Sequence, residues 1–314
     1  MGANNRFSVQ NLLMKKSGQA LSFLARELIG IPTGDKIPTF SQLSNSLKYS
    51  RGTLQNAMGN LQSIGAITLV KRGTLGTFIK DKNIGLLLGC TGISYISGTM
   101  PLPYTKAYEG LATGLFDTFS TNTHLSIDIA YMRGSKRRIN GVEKGQYDFT
   151  ITSRLAANSA VEAGAAIAIT REFGVGSYLS AQSIVFRESG IKTIADGMRI
   201  GVDKSSLDHA RLTESLTKDK NITYVDINYN QILTFIEKSE IDAAVWNVDN
   251  ILESHATLNY LPIETGYDKD ETIAVIVTAK DNSIMKTIFD EFLDIEHVLF
   301  EQKQVISGVR YPNY

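Results

Sequence analysis

The 314-residue sequence predicts two folded parts, a small α+β head at the N-terminus and a larger α/β body. Two observations support this division. Between residues 34 and 80, two short amphipathic segments precede two extended segments that are joined by a glycine-containing turn. From residue 83 onward, short apolar runs alternate with helix-compatible segments, which is the pattern of α/β folds. We therefore assign residues 1–82 to the head and residues 83–314 to the body.

The distribution of charge divides the chain at the same place. Residues 1–82 contain 11 basic and three acidic residues, which leaves 21 basic and 29 acidic residues for the body. A positive head on an acidic body favours contact with a polyanion such as DNA. The apolar runs are far shorter than the roughly 20 residues of a membrane span, so we expect no membrane partner. The single cysteine, Cys90, and the lack of a signal-peptide pattern favour a cytoplasmic protein.

The head has the outline of a winged helix-turn-helix domain. Residues 7–29 carry leucines at helical spacing and predict a first helix. Thr39 and Gln42 have the spacing of a capping box and open a second helix. Ser50 is a good N-cap for a third helix that extends to about residue 63. Residues 66–80 then form a hairpin, the wing.

The polar face of the third helix predicts where DNA is read. In helix-turn-helix proteins, residues near the N-terminus of this helix reach base edges in the major groove. Arginine pairs with guanine there, and glutamine or asparagine pairs with adenine. The candidates from the helix are Arg51, Gln55 and Asn56. Lys71 and Arg72 at the tip of the wing can lie against phosphates or a minor groove.

The head resembles the winged head of the GntR family of regulators. That resemblance implies DNA contacts by Arg51, Thr53, Gln55 and the wing at Gly76. Two departures from the family pattern imply modest affinity or an atypical target: Phe40-Ser41 replaces a Glu-Arg pair, and Gln55 stands where the family often has arginine. The matching segments are Gly34-Asp35, Ile37-Pro38-Thr39, Ser50-Arg51-Gly52-Thr53-Leu54, Ala57-Met58, Gly65-Ala66-Ile67 and Gly76-Thr77-Phe78.

The body contains two segments with the same pattern. Residues 143–151 and 237–245 each run from a helix end through a turn and an aspartate into an apolar strand. We interpret Asp148 and Asp242 as equivalent positions in two similar lobes. Lobe I comprises about residues 83–182 and 268–314, and lobe II comprises about residues 183–267. The first apolar run, residues 84–90, predicts a strand, and the glycine- and proline-rich residues 91–104 predict a loop.

This pattern resembles the type 2 periplasmic-binding-protein fold, in which two α/β lobes close over a small ligand. The same fold serves as the effector domain of LysR-type regulators. The combination of head and body resembles the YhfZ-like group of bacterial regulators over essentially the whole chain. The resemblance implies a transcription regulator that binds double-stranded DNA and is controlled by a small-molecule effector. Because symmetric dimers usually read paired half-sites, we expect a homodimer.

Ligands of such folds bind at the carboxyl ends of strands and at helix N-termini. Ser205 and Ser206 lie between a strand and a helix, and their hydroxyl and backbone N–H groups suit a carboxylate or phosphate. An N-cap without a ligand is the alternative for these serines. The other candidates are Ser153 and Arg154, which follow a strand of the other lobe, together with Trp246 and Asn247, for which core packing is the alternative, and Tyr104, for which turn structure is the alternative. We expect a small, anionic effector.

The sequence offers no assembled catalytic or metal site. The four histidines are scattered, and neither a phosphate-binding loop nor a Gly-x-Ser-x-Gly motif is present. We therefore predict no catalytic residue, no cofactor and no metal. Two alternatives stay open: a metabolite-binding protein or enzyme with a degenerate head, and a regulator whose body is purely structural.

Overall fold

The computed structural model describes residues 15–122, 125–253, 258–263 and 269–314. Within them the head is a winged helix-turn-helix domain, as the sequence predicts. Residues 7–14 of the predicted first helix lie outside the described residues. The elements of the head are helices α1 (Lys16–Ile29), α2 (Phe40–Leu47) and α3 (Arg51–Ser63), and strands β1 (Ile67–Lys71) and β2 (Thr77–Lys82).

The predicted helix caps fix the boundaries of α2 and α3. The Thr39 side chain accepts a hydrogen bond from the Gln42 backbone N–H, and Gln42 Oε1 accepts one from the Thr39 N–H at 2.8 Å. This is a complete capping box. The Ser50 hydroxyl accepts a hydrogen bond from the Thr53 N–H and opens α3. Gly65, with φ of 74°, follows the end of α3 in the left-handed region that glycine favours.

The prediction for residues 84–104 is wrong. Residues Ile84–Thr91 form a helix, α4, and not a strand. The Asn83 side chain caps the Leu86 N–H at 2.9 Å, and Gly92 ends the helix with φ of 74°. The run is apolar on nearly all sides because it packs against α1 of the head as well as against the body. The segment predicted as a loop contains a strand, Tyr95–Met100.

In the described residues the body contains ten strands and eight further α-helices after α4. They follow one another along the chain as β3 (Tyr95–Met100), α5 (Lys106–Asn122), β4 (Ser126–Tyr131), α6 (Ser135–Glu143), β5 (Phe149–Ser153), α7 (Arg154–Glu162), β6 (Ile167–Glu172), β7 (Gln182–Phe186), β8 (Arg199–Val202), α8 (Leu207–Thr217), β9 (Thr223–Asp226), α9 (Ile232–Glu237), β10 (Ala243–Asn247), α10 (Val248–Glu253), β11 (Asn259–Pro262), β12 (Ala274–Ala279), α11 (Ser283–Phe292) and α12 (Ile295–Ile306).

These strands form two sheets with the same topology. The sheet of lobe I has the order β4-β3-β5-β12-β6, and that of lobe II has the order β9-β8-β10-β7-β11. In each sheet the first three strands are parallel, and the fourth strand is antiparallel to both of its neighbours. The chain crosses between the lobes after β6 and again after β11. The prediction of two similar α/β lobes is confirmed, whereas their residue limits stay a prediction.

The head is fixed to lobe I. Leu24 and Leu28 of α1 belong to the same buried cluster as Leu87 of α4 and Phe289 of α11. The backbone carbonyl of Ile29 accepts hydrogen bonds from Lys82 Nζ at 2.7 Å and from the Thr287 hydroxyl of α11 at 3.2 Å. Lobe II has separate cores. A movement between the lobes therefore leaves the packing of the head on lobe I unchanged.

Candidate functional site

The exposed face of α3 carries three of the predicted DNA-reading residues. Leu54, Ala57, Met58 and Leu61 are buried and hold the opposite face of α3 against the head. The side chains of Arg51, Gln55 and Asn56 are exposed. Thr53 is half-buried, and its hydroxyl lies 2.8 Å from the Ser50 hydroxyl, within the cap of the helix.

The wing presents the other predicted residues. Lys71 and Arg72 are exposed at its tip, and the Arg72 guanidinium lies over the Phe78 ring, 4.6 Å from the ring centroid. This cation–π contact holds the guanidinium in place beside the strand. Gly76 has φ of 109° and ψ of −158°, a backbone conformation that only glycine adopts readily, and its carbonyl accepts a hydrogen bond from the Arg72 N–H at 2.8 Å.

Sequence reasoning missed Lys36 as a member of this surface. Lys36 is exposed, forms an isolated antiparallel bridge with Phe78, and places its side chain beside Gly76. A cation thus lies next to the wing although it stands 40 residues earlier in the sequence. The sequence carries no signal for this contact because it depends on how the segment before α2 packs against β2.

A cavity of about 60 Å³ lies between the two lobes. Lobe I contributes two arginines and three tyrosines, and lobe II contributes two aspartates and further polar side chains. The lining includes Tyr104, Tyr108, Arg133, Arg138 and Tyr178 from lobe I, and Gln182, Asp203, Ser206, Asp208, His209 and Tyr229 from lobe II.

Direct contacts between the lobes lie beside this cavity. The Ser153 hydroxyl at the start of α7 donates to Asp208 Oδ2 at 2.6 Å. The Leu207 N–H at the start of α8 donates to the Ser135 hydroxyl at 2.9 Å. Arg211 on α8 pairs with Glu162 of lobe I at 3.0 Å. The two lobes are therefore in direct contact next to the cavity.

The structure brings some of the predicted ligand residues to the cavity. Tyr104 and Ser206 line it. Ser153 is not among the lining residues, but its hydroxyl donates to Asp208, which lines the cavity. Ser205 is not among the lining residues, and its hydroxyl donates to the Asp203 carboxylate at 2.5 Å. The Asn247 N–H donates to the Tyr229 hydroxyl at 2.9 Å and so positions a ring that lines the cavity.

Arg154 and Trp246 are not brought to the cavity. The Arg154 guanidinium pairs with Asp270 at 2.5 Å and with Glu172 at 3.1 Å. Its charge is therefore balanced at the edge of lobe I. Trp246 is buried in the core of lobe II with residues such as Val185. We drop both residues from the candidate ligand site.

Arg138 and Asp208 are the main residues that sequence reasoning missed. Arg138 is 3% exposed and donates from one terminal nitrogen to the Met132 carbonyl at 2.9 Å and from the other to the Tyr178 hydroxyl at 3.3 Å. Asp208 is 6% exposed. Burial raises the pKa of its carboxyl to about 6, although the hydrogen bond from Ser153 acts in the opposite direction.

His209 shows why the adjacent pair Asp208-His209 is not a catalytic pair. Its side chain points away from that of Asp208, as consecutive helical positions require. Nδ1 accepts a hydrogen bond from the Asp203 N–H at 3.0 Å, so Nε2 carries the proton and donates to the Val245 carbonyl at 2.8 Å. Burial lowers the pKa of His209 and keeps the ring neutral.

A group of side chains with metal-ligand spacing lies away from the cleft, where α12 packs on α5. Asp117, His297 and Glu301 approach one another there. His297 Nε2 lies 2.6 Å from Asp117, and Arg310 pairs with both Asp117 and Glu301. Arg310 already balances the carboxylates, so the group ties the C-terminal segment to α5.

The comparisons with known proteins decide the family. A model described as "YhfZ C-terminal domain" matches residues 84–314, and one described as "Helix-turn-helix domain" matches residues 32–79. The chain belongs to the YhfZ family. The helix-turn-helix match supports a DNA-binding head and does not decide the resemblance to GntR regulators. Neither model is named for an enzymatic activity.

Similar proteins cover both parts of the chain. YhfZ of Escherichia coli (strain K12) is 31% identical over 311 residues, which is 98% of this chain and 100% of that protein. The crystal structure of YhfZ from Shigella flexneri has a TM-score of 0.62 and 30% identity, covering 73% of this chain and 97% of that one. The periplasmic aliphatic sulphonate binding protein SsuA from Escherichia coli has a TM-score of 0.49 and 16% identity, covering 69% and 74%.

The fold is a winged helix-turn-helix head followed by a body of two α/β lobes, as the sequence predicts. Among the described residues, no helix combines the length and apolar character needed to cross a membrane.

Proposed function

We propose that this YhfZ family protein is a one-component transcription regulator of the cytoplasm. Its head binds operator DNA, and a small effector binds in the cleft between the lobes of the body. The observation that carries the proposal is the exposed polar face of α3, where Arg51, Gln55 and Asn56 stand beside the basic wing. An uncompensated patch of this kind, on a helix whose apolar face is fully buried, suits the major groove of DNA.

The body supports control by an effector. Two lobes that meet over a small polar cavity can bind a ligand more tightly in one arrangement than in another. Because the head is fixed to lobe I, it moves together with lobe I when the lobes close. In a dimer, such a movement changes the position of one head relative to the other. We therefore propose a homodimer that reads two half-sites, whose spacing changes with effector binding.

The assignment makes the protein a binding protein and not an enzyme. His209, the imidazole that lines the cavity in the described part of the chain, is engaged by the Asp203 N–H and the Val245 carbonyl. It therefore does not serve as a base for the Ser206 hydroxyl, as serine–histidine catalysis would need.

The DNA claim is tested by measuring binding of the full chain to duplex DNA. A target is first selected from random-sequence duplexes and then titrated by fluorescence anisotropy at several salt concentrations. The double variant Arg51→Ala, Gln55→Ala is expected to lose at least tenfold in affinity for the selected duplex. Gln62→Ala, an exposed glutamine at the other end of α3, is the matched control and is expected to bind like the wild type.

Undiminished binding of the double variant would contradict the assigned reading face. If the wild type itself binds neither the selected duplex nor bulk duplex DNA at low salt, the regulator assignment fails as a whole.

A further inference from the structure

The charged side chains around the cavity form two opposite sets. Arg133 and Arg138 line the side that belongs to lobe I, and Asp203 and Asp208 line the side that belongs to lobe II. Their formal charges cancel. Asp203 is already satisfied within lobe II, where its carboxylate accepts hydrogen bonds from the backbone N–H groups of Ser205 and Tyr229 at 2.9 and 3.0 Å. Asp208 is therefore the acidic group that a ligand meets.

Buried polar atoms at the cavity lack hydrogen-bond partners within the described part of the chain. They are Arg138 Nε, Asp208 Oδ1, Gln182 Oε1 and the Tyr104 hydroxyl. Arg138, Asp208 and Gln182 are each more than nine-tenths buried. Buried polar groups in folded proteins are almost always paired with protein or ordered water, so these atoms are the ones that a molecule bound in the cavity would contact.

The chemistry of the unpaired atoms defines the partner. Asp208 Oδ1 and Gln182 Oε1 are acceptors, so both need donors from the ligand, and the negative carboxylate prefers a cationic donor. Arg138 Nε is a donor on a permanent cation and prefers a negative acceptor. The Tyr104 hydroxyl can act as a donor or as an acceptor.

We propose that the effector is a small zwitterion of the amino-acid type. Its ammonium group donates to Asp208 and Gln182, and its carboxylate accepts from Arg138 with Arg133 nearby. This inference rests on the proposed function of the cleft and revises the expectation of a simple anion. The cavity volume of about 60 Å³ suits a compact molecule with a short side chain.

Other ligand classes leave part of the site unpaired. A simple anion satisfies Arg138 but places negative charge near the Asp208 carboxylate without a cation between them. A simple amine satisfies Asp208 and leaves Arg138 Nε without an acceptor. A neutral polyol supplies hydrogen bonds but no opposite charge to either side chain.

The test uses isosteric probes on the full chain. Glycine, L-alanine, L-serine and β-alanine form the zwitterion set. L-lactate replaces the ammonium of alanine by a hydroxyl, isopropylamine replaces its carboxylate by a methyl group, and glycerol represents neutral polyols. Thermal shift and titration calorimetry are expected to show binding by at least one zwitterion, with the matched single-charge analogues at least tenfold weaker.

Variants assign the two ends of the ligand. Asp208→Asn keeps the shape of the side chain and is expected to lower the preference for alanine over lactate at least tenfold. Arg138→Lys is expected to weaken the binding of every probe that carries a carboxylate. Arg138→Gln is expected to do the same where that variant folds. Arg154→Gln removes an arginine that lies outside the cavity and is expected to leave probe binding unchanged.

Equal binding of lactate and alanine by the wild type would overturn the zwitterion assignment, and so would the failure of every zwitterion to bind. Duplex DNA binding is measured in the same protein samples. If the wild-type protein binds duplex DNA but shows no preference for zwitterions, only this inference is refuted. If the wild-type protein does not bind duplex DNA, the proposed function is refuted.

Discussion

Asp148 and Asp242 make the same pair of backbone hydrogen bonds in the two lobes. The Asp148 N–H donates to the Ser97 carbonyl at 2.8 Å, and Asp148 Oδ2 accepts from the Ser97 N–H at 2.8 Å. The Asp242 N–H donates to the Arg199 carbonyl at 2.8 Å, and Asp242 Oδ2 accepts from the Arg199 N–H at 2.8 Å. Each aspartate thus joins the start of one parallel strand to its neighbour, which confirms their equivalence.

The two aspartates differ in their ionic partners, and this difference predicts an acid sensitivity of lobe II. The hydrogen bond from the Arg199 side chain, at 2.8 Å, holds the pKa of Asp242 below its usual value. A lowered folded-state pKa stabilises the protein above the ordinary carboxyl pKa of about 4, and the contribution is lost as the pH falls through the lowered value.

We therefore expect Asp242→Asn to lower the melting temperature at neutral pH and to flatten its dependence on pH below about 4. Asparagine keeps an acceptor for the Arg199 N–H, so the difference in melting temperature measures the effect of removing the negative charge. Asp148→Asn is the matched control because Asp148 has no ion pair within the described residues, and its effect is expected to be smaller. An equal or larger effect of Asp148→Asn, measured by differential scanning fluorimetry, would contradict the ionic explanation.

The raised pKa of Asp208 leads us to expect the opposite dependence of protein stability on pH. Burial raises the pKa of this carboxyl to about 6, while its unfolded value is near 4. As the pH rises from about 4 to 6, the unfolded chain loses this proton before the folded chain does, so the ligand-free protein loses stability. The charged groups that act on Asp208 include Arg138, which opposes the rise in pKa, and Glu271, which adds to it.

The measurement is the difference in melting temperature between Asp208→Asn and the wild type, followed from pH 4 to pH 7 without ligand. The variant is expected to gain relative to the wild type as the pH rises, because asparagine does not ionise. A difference that does not change with pH would show that the Asp208 carboxyl titrates at its ordinary pKa.

The backbone conformation of Gly76 in the wing requires a glycine. With φ of 109° and ψ of −158°, it occupies a region that other residues enter at a cost of about 1–3 kcal/mol. Gly76→Ala also brings a methyl group to within 2.5 Å of the Lys36 side chain, which must move aside. We expect a loss of that size in the free energy of unfolding of the head.

The control is Gly59→Ala on the exposed face of α3. Gly59 is helical, and an added Cβ there meets no atom within 4 Å. Alanine is favoured over glycine within a helix by roughly 0.5–1 kcal/mol, so this variant is expected to be more stable than the wild type in urea denaturation. Equal stability changes at the two glycines would contradict the backbone argument.

We expect Arg72 to contribute to DNA affinity in a way that does not depend on the DNA sequence. Its guanidinium is held over Phe78 at the exposed tip of the wing, where it suits a phosphate. Arg72→Ala is expected to weaken binding to all duplexes similarly and to lower the slope of log K against log salt by about 1. Lys220→Ala removes an exposed cation of lobe II and is expected to leave the slope unchanged. A change of target preference in Arg72→Ala would instead indicate contact with bases.

The head was predictable because its signals are local. The capping box of Thr39 and Gln42, the N-cap Ser50 and the turn at Gly65 act within a few residues, and each appears in the structure. Residues 84–90 were mispredicted because a short run that is apolar on all sides fits a buried strand and a buried helix equally well. The cap at Asn83 favours the helix, and packing against α1 stabilises it.

The cleft was predictable only as a location. Strand ends and helix N-termini place Ser153 and Ser206 near the meeting of the lobes. The identity of the charged groups depends on tertiary packing: Arg138 is the buried one of two adjacent arginines, and Asp208 becomes buried only because α8 meets α7 of the other lobe. Arg154, by contrast, is drawn away from the cleft by Asp270.

The central claim is that the cleft controls the head, and the most direct test is a linkage measurement. The affinity of the full chain for its selected duplex is measured with and without a saturating concentration of the best-binding zwitterion, and the affinity for the zwitterion is measured with and without the duplex. We expect the effector to change DNA affinity by about 5- to 150-fold and DNA to change effector affinity by the same factor. Affinities that are unchanged in both directions would show that the two sites are independent and that the cleft does not control the head.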